Sequence, residues 1–323
     1  MKYSRVVQYV ATQPWALYGP KLAQLLSVLA FKAGGGEFTA EEIKAQIGDP
    51  EQPEPSKRGA VAVLPLRGVI AHRMGTMEES SGGMSTERFG KMFRAAVEDP
   101  GISAIVLDVD SPGGTVEGVP ELAAEMLALK GRKKVVAVAN ACMCSAAYWI
   151  ASAADEIVAT PSALVGSIGV YTAHQDLSQM LEQEGVKVTL ISAGKHKVDG
   201  NPFEPLDDET QAKIQEQVDE AYAMFVKDVA KGRGVTPAAV RGGYGEGRAV
   251  TAQEAKGVGL VDRIGTLDET IGRLIGRRSG AGMRAEGDLG DLEAQASQLH
   301  PDEAALVAAI AADEELRQRI ERF

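Results

Sequence analysis

Three short stretches of this chain hold the residue types that acyl transfer needs. Ser145 lies in Ala141-Cys142-Met143-Cys144-Ser145-Ala146-Ala147-Tyr148-Trp149-Ile150, after the β-rich run Lys134-Val135-Val136-Ala137-Val138-Ala139. A serine hydroxyl is a weak nucleophile until a base takes its proton. Gly113 and Gly114 close the stretch Asp108-Val109-Asp110-Ser111-Pro112-Gly113-Gly114. Glycines let a backbone approach a ligand closely and aim an N–H at a developing oxyanion. Lys197 sits in Ser192-Ala193-Gly194-Lys195-His196-Lys197-Val198-Asp199-Gly200. A lysine, whose ordinary pKa is about 10.4, acts as a base at neutral pH only where burial or neighbours lower that value.

Each stretch also has a plainer reading. A serine at the start of a helix can cap an orphan N–H. Gly113-Gly114 can be a simple strand-to-helix turn, and Lys197 a solvated loop lysine. His196 and His174 are rival bases, and a Ser145–His174 pair with an aspartate would make a triad. Cys142 and Cys144, the chain's two cysteines, read as small residues packing a tight turn rather than as thiol catalysts. One residue apart, they form neither a disulfide framework nor a zinc ligand set.

The elements that must position these residues follow from the apolar pattern. Strands are expected over residues 60–66, 104–109, 135–139, 156–159 and 186–192. Helices are expected over 86–98, 119–129, 145–153 and 176–184, and a long amphipathic helix over about 207–231, stopped by Gly232-Arg233-Gly234. Continuous apolar strands alternating with helices imply a mostly parallel α/β sheet covered on both faces. A small helix at 251–255 and a strand at 260–264 end this part. Residues 1–58 read as a helical N-terminal segment and linker, 59–276 as the main domain, and 277–323 as a Gly-rich linker with an acidic helical tail.

Composition narrows the function. The 323 residues carry a net charge of −11, which argues against a general nucleic-acid binder. The longest apolar run, residues 22–31, is half of the roughly 20 residues that a membrane span requires, and no secretory leader is evident. A cytoplasmic protein without metal or cofactor is expected.

Taken together, the segments resemble the S49 peptidases, the signal peptide peptidase A family, and most of all its phage and prophage branch, the protein C-like head maturation proteases. The resemblance rests on Leu107-Asp108-Val109-Asp110-Ser111-Pro112-Gly113-Gly114, Ser145-Ala146-Ala147-Tyr148, Val165-Gly166-Ser167-Ile168-Gly169-Val170 and Gly194-Lys195-His196-Lys197. Gly247-Arg248-Ala249-Val250-Thr251 and Gly259-Leu260-Val261-Asp262-Arg263-Ile264-Gly265 extend it to the end of the domain. It implies a Clp-protease/crotonase-like fold with a Ser–Lys dyad: Ser145 as nucleophile, Lys197 as general base, Ser167 orienting the lysine and Gly114 donating to the oxyanion. The transmembrane helix of membrane-anchored members is not found here. Gln13-Pro14-Trp15-Ala16-Leu17-Tyr18 instead resembles the opening of the phage proteases.

The resulting expectation is a serine endopeptidase acting on scaffold, portal or capsid protein during head assembly. It would work as a homo-oligomeric ring with sites at subunit interfaces, in the host cytoplasm or on the prohead. Three other readings stay open: degradation of hydrophobic signal peptides, a structural head protein with a vestigial dyad, and, because fold does not fix function, a crotonase-type acyl-CoA enzyme.

Overall fold

The computed structural model describes residues 14–19, 54–74 and 83–276. Its centre is a mixed, mostly parallel sheet. The long strands β3 (Val61–Ala71), β5 (Ala104–Thr115) and β6 (Lys134–Cys144) run side by side, continued by β7 (Glu156–Ala159) and β10 (Arg263–Ile264) on one edge. β2 (Ser56–Arg58) pairs antiparallel on the other edge. Past a shared level the long strands break register, between Arg67 and Val69 in β3 and between Val109 and Ser111 in β5. Their upper ends take new partners. β1 (Trp15–Leu17) joins β5, β4 (Met84–Ser85) joins β3, and β8 (Leu164–Gly166) joins β6 and then β9 (Ala249–Thr251). Bulges of this kind bend strands and re-aim side chains, and Gly113, Gly114 and Ser145 lie beyond them.

Alternation along the strands divides the core in two, because successive side chains point to opposite faces. Leu64, Leu66, Leu107 and Ala139 face the larger cluster. It is covered by α1 (Thr86–Glu98), α2 (Val119–Ala128), α3 (Ala146–Ala151) and α5 (Asp208–Arg233). Val63, Val106, Val136 and Val158 face the smaller cluster, closed by Ile271 of α8 (Leu267–Leu274). Phe89, Phe93 and Val97 recur every four residues on α1 and bury one stripe. α5 starts at Asp207, whose side chain accepts the Thr210 N–H, and stops at Gly234, which adopts the left-handed conformation at φ 67°.

The α/β class with flanking helices matches the sequence expectation, with local differences. The strand expected over 260–264 shrinks to Arg263–Ile264, and Ser56–Arg58 of the expected linker is a strand. Residues 186–192 do not form the expected strand. The edge of β8 away from β6 is taken by β9, residues 186–192 pair with no described strand, and Ile191 is 95% exposed. The helix expected over 176–184 shrinks to α4 (Ser178–Gln183), which buries nothing. Within the N-terminal segment read as helical, Trp15–Leu17 is extended, held by the open edge of β5. Residues 1–13 and 20–53 of that segment and the tail from residue 277 lie outside the described residues.

The end of α5 is tied to the sheet by Asp262. Its carboxylate accepts the Ile157 N–H at 2.7 Å and a two-pronged contact from Arg233, at 2.6 and 2.9 Å. Burial works to raise the Asp262 carboxyl, but the bonds from Arg233 and Ile157 outweigh it and hold it below the ordinary range. A carboxylate depressed in the folded state adds stability above its unfolded pKa and loses it as pH falls through the folded value. Asp262→Asn should therefore cost about 1–2 kcal/mol at pH 7, the lower end of a charged hydrogen-bond pair because the carboxylate is partly exposed. The gap from the unsubstituted chain should narrow at pH 3. Urea unfolding at both pH values checks this; an equal gap at each would show that the pairing is not the cause.

Candidate active site

Ser145 joins β6 to α3, and α3 is buried along its whole length. Tyr148 donates to the Leu260 carbonyl at 2.7 Å, Trp149 donates to Asp228 at 2.9 Å, and the Trp149 ring stacks on Phe225 of α5 at 4.4 Å. These contacts fix α3 and, through it, Ser145. The Ser145 N–H donates to the Gly166 carbonyl at 2.7 Å, while its own carbonyl accepts from Trp149. Its backbone is held at φ 57°, ψ −120°, which a residue with a side chain reaches only under strain of order 1–3 kcal/mol. The side chain sits at the cap position but caps nothing. The hydroxyl is fully buried and has no hydrogen-bond partner among the described residues. The capping alternative therefore does not hold. Ala141, Ser145 and Ser167 are three of the four described non-glycine residues with positive φ, and all three lie on this corner.

Opposite Ser145 stands the end of β5. A Cβ added to Gly113 would overlap the Ala16 carbonyl oxygen and lie 2.9 Å from the Ser145 Cβ and 3.0 Å from the Ala146 nitrogen. A Cβ on Gly114 would overlap the backbone of Ile70. Both glycines are thus required by close backbone approach, and Gly113 is the one that faces the serine. Ser111 holds this corner: its hydroxyl, fully buried, donates to the Gly68 carbonyl at 2.6 Å and accepts the Gly113 N–H at 3.2 Å. Residue types alone do not single out Ser111 within its motif or separate Gly113 from Gly114. The Ser-Pro-Gly-Gly run was the available signal.

Ser167 follows the Gly166 that binds Ser145. It is 6% exposed, has φ 52°, and donates its N–H to the Arg248 carbonyl at 2.8 Å. Ser145, Gly113, Gly114 and Ser167 therefore come together at the upper ends of β5, β6 and β8. Lys197 does not join them within this chain. It lies in an exposed turn, its N–H donating to Gly194. The rival histidines are engaged elsewhere, His174 with the Asn201 carbonyl at 3.1 Å and His196 with Asp199 at 2.8 Å. The Cys144 thiol shares a hydrogen bond with Cys142 and is buried, and both push it far above the ordinary thiol range, so it offers no thiolate. Among the described residues no group of three or more His, Cys, Asp or Glu is placed to hold a metal ion, and no helix is long and apolar enough to cross a membrane.

This constellation can be set beside known proteins. Residues 128–277 match Peptidase family S49. The chain is 32% identical over 287 residues to the capsid assembly protease C of Escherichia phage lambda, covering 84% of this chain and 65% of that one. It is 36% identical over 211 residues to the head-tail preconnector protein GP5 of Enterobacteria phage P21, covering 65% and 42%. A putative signal peptide peptidase SppA of Enterococcus faecium is 30% identical over 244 residues, covering 75% and 67%. The chain thus spans less than two thirds of the length of the two phage relatives.

The Ser111 hydroxyl satisfies two backbone groups that its loss would strand. Ser111→Ala should lower the stability of the chain by about 1–3 kcal/mol, the cost of buried groups left unpaired. Chemical unfolding measures it, and a variant as stable as the original would remove Ser111 from the account of this corner.

Proposed function

We propose that this chain, which belongs to peptidase family S49, is a serine endopeptidase with Ser145 as nucleophile and Lys197 as general base. The observation that carries the reading is the Ser145 hydroxyl: buried, on a strained backbone, and without a hydrogen-bond partner among the described residues. A serine kept for structure alone would be expected to spend its hydroxyl on a neighbour. In the proposed reaction the neutral Lys197 amine takes the Ser145 proton as Oγ attacks the substrate carbonyl carbon. The oxyanion is met by the backbone N–H of Gly114 and of Ala146. The lysine then passes the proton to the leaving amine, and water hydrolyses the acyl-enzyme by the same route in reverse. Ser167 orients the lysine. Residues 59–276 are taken as the catalytic domain.

The base is supplied by a second copy of the chain. Two features support this: the exposed position of Lys197, and the apolar surface beside it, where Val186 is 49% exposed and Val188, Leu190, Ile191 and Phe203 are also exposed. Exposed apolar side chains gathered in one stretch of chain are what an interaction surface supplies. A homo-oligomeric ring would cover it and complete each site. From the phage relatives' names, the proposed substrates are head proteins (scaffold, portal or capsid) processed on the prohead or in the host cytoplasm. A second reading, turnover of hydrophobic signal-type peptides, rests on the likeness to the Enterococcus protein.

Ser145→Ala and Lys197→Ala should each abolish cleavage of co-expressed head proteins, read by mass spectrometry, without unfolding the chain. The double variant should be hardly worse than either, since a dyad acts as a unit. His174→Ala and His196→Ala should keep substantial activity. Mixing the two inactive single variants should restore part of it, because some interfaces then pair an intact serine with an intact lysine. Absence of rescue after verified subunit exchange would place both groups of the dyad in one subunit.

A further inference from the structure

The short strand β1 lies in an unusual place. It runs antiparallel to the end of β5, pairing Trp15 with Thr115, Ala16 with Gly114 and Leu17 with Gly113. On its other side Trp15 forms an antiparallel bridge with Tyr171, its N–H donating at 2.8 Å and its carbonyl accepting at 3.1 Å. β1 is thus a strand slotted between the glycine corner and the chain that follows Ser167. Hydrogen bonds from Tyr18 to the Pro112 carbonyl, at 2.8 Å, and from Val116 to the Pro14 carbonyl, at 3.3 Å, mark the bonded pairs on either side. Bonded pairs alternate in an antiparallel ladder, so Ala16 and Gly114 form the pair between them, and the Gly114 N–H faces the Ala16 carbonyl. The same carbonyl oxygen crowds the site of the missing Gly113 side chain, where the Ser145 Cβ and the Ala146 nitrogen also converge. An internal peptide carbonyl therefore stands where an extended substrate would present its own.

The side chains of β1 support the same view. Trp15 and Leu17 form a small cluster with Val69 and Tyr171, apart from the two main clusters of the core, so the main core does not depend on them. Ala16 turns the other way, is fully buried and packs into the larger core cluster; its carbonyl oxygen is the atom that meets the glycine corner. A three-residue strand held largely by main-chain bonds has the make-up of a peptide added to a sheet edge.

We propose that Pro14–Tyr18 is a built-in competitor that fills the peptide slot beside Ser145 and must leave before another extended peptide can enter. The inference rests on the reading of Ser145 as the centre of the site. It implies that the slot accepts peptides by main-chain pairing, with a small residue facing the serine and large apolar residues on the opposite side.

The test is a binding measurement that needs no turnover. A fluorescein-labelled peptide of residues 13–18 is titrated into the full chain carrying Ser145→Ala, and into the same chain with Trp15→Asp and Leu17→Asp added to loosen β1. Anisotropy should show at least tenfold tighter binding to the loosened chain. Equal binding by the two folded chains, or none by either, would overturn the proposal. Should the loosened chain fail to fold, hydrogen exchange on the unsubstituted chain decides: Ala16–Tyr18 and Gly113–Thr115 amides should exchange well before those of 104–109. Equal protection would make β1 a permanent part of the sheet. If the peptide binds while the unsubstituted chain cleaves nothing, the slot stands and the peptidase reading fails.

Discussion

The backbone of Ser145, fixed at φ 57° between a β-strand and a buried helix, is the constraint on which the site depends. An L-residue adopts this conformation only when its surroundings over-determine it. The surroundings here do so from four directions: the Gly166 carbonyl on the Ser145 N–H, Tyr148 on Leu260, Trp149 on Asp228, and the stack of Trp149 on Phe225. With α3 held this way, the serine side chain is turned off the helix axis and away from the capping role that its position would otherwise give it. The Gly-Gly corner of β5 then has to come within backbone distance, and only residues without Cβ atoms allow it.

Much of this could be read from residue types. The buried strands announce themselves as unbroken Val/Ile/Leu runs, and Gly113 and Gly114 stand where backbones meet. The serine's neighbours Ala146 and Ala147, both fully buried, are small because β5 and α3 pack closely. The sequence does not reveal which glycine faces the serine. That depends on a register shift in β5 between Val109 and Ser111, which local pattern does not encode. The expected strand over 186–192 has a strand's composition but no partner, since pairing is a property of the neighbour as much as of the segment. Trp15–Leu17, within a segment whose pattern predicts helix, is extended for the converse reason: an open edge of β5 overrides its weak local preference.

The separation of Lys197 from Ser145 follows from the same geometry. The serine belongs to the buried core, while the lysine belongs to an exposed stretch that carries several exposed apolar side chains. In the proposed assembly a dyad divided in this way makes catalysis conditional on association. A buried, unbonded hydroxyl is inert alone and becomes a nucleophile only when an amine is brought to it.

The most direct measurement of the central claim is labelling by a serine-directed fluorophosphonate, with the modified residue located by tryptic mass spectrometry. In the assembled chain the probe should attach to Ser145, and Lys197→Ala should slow the reaction by at least about a hundredfold, the low end of what a general base contributes. Attachment to another serine, or an unchanged rate in Lys197→Ala, would contradict the assignment of Ser145 and Lys197 as nucleophile and base.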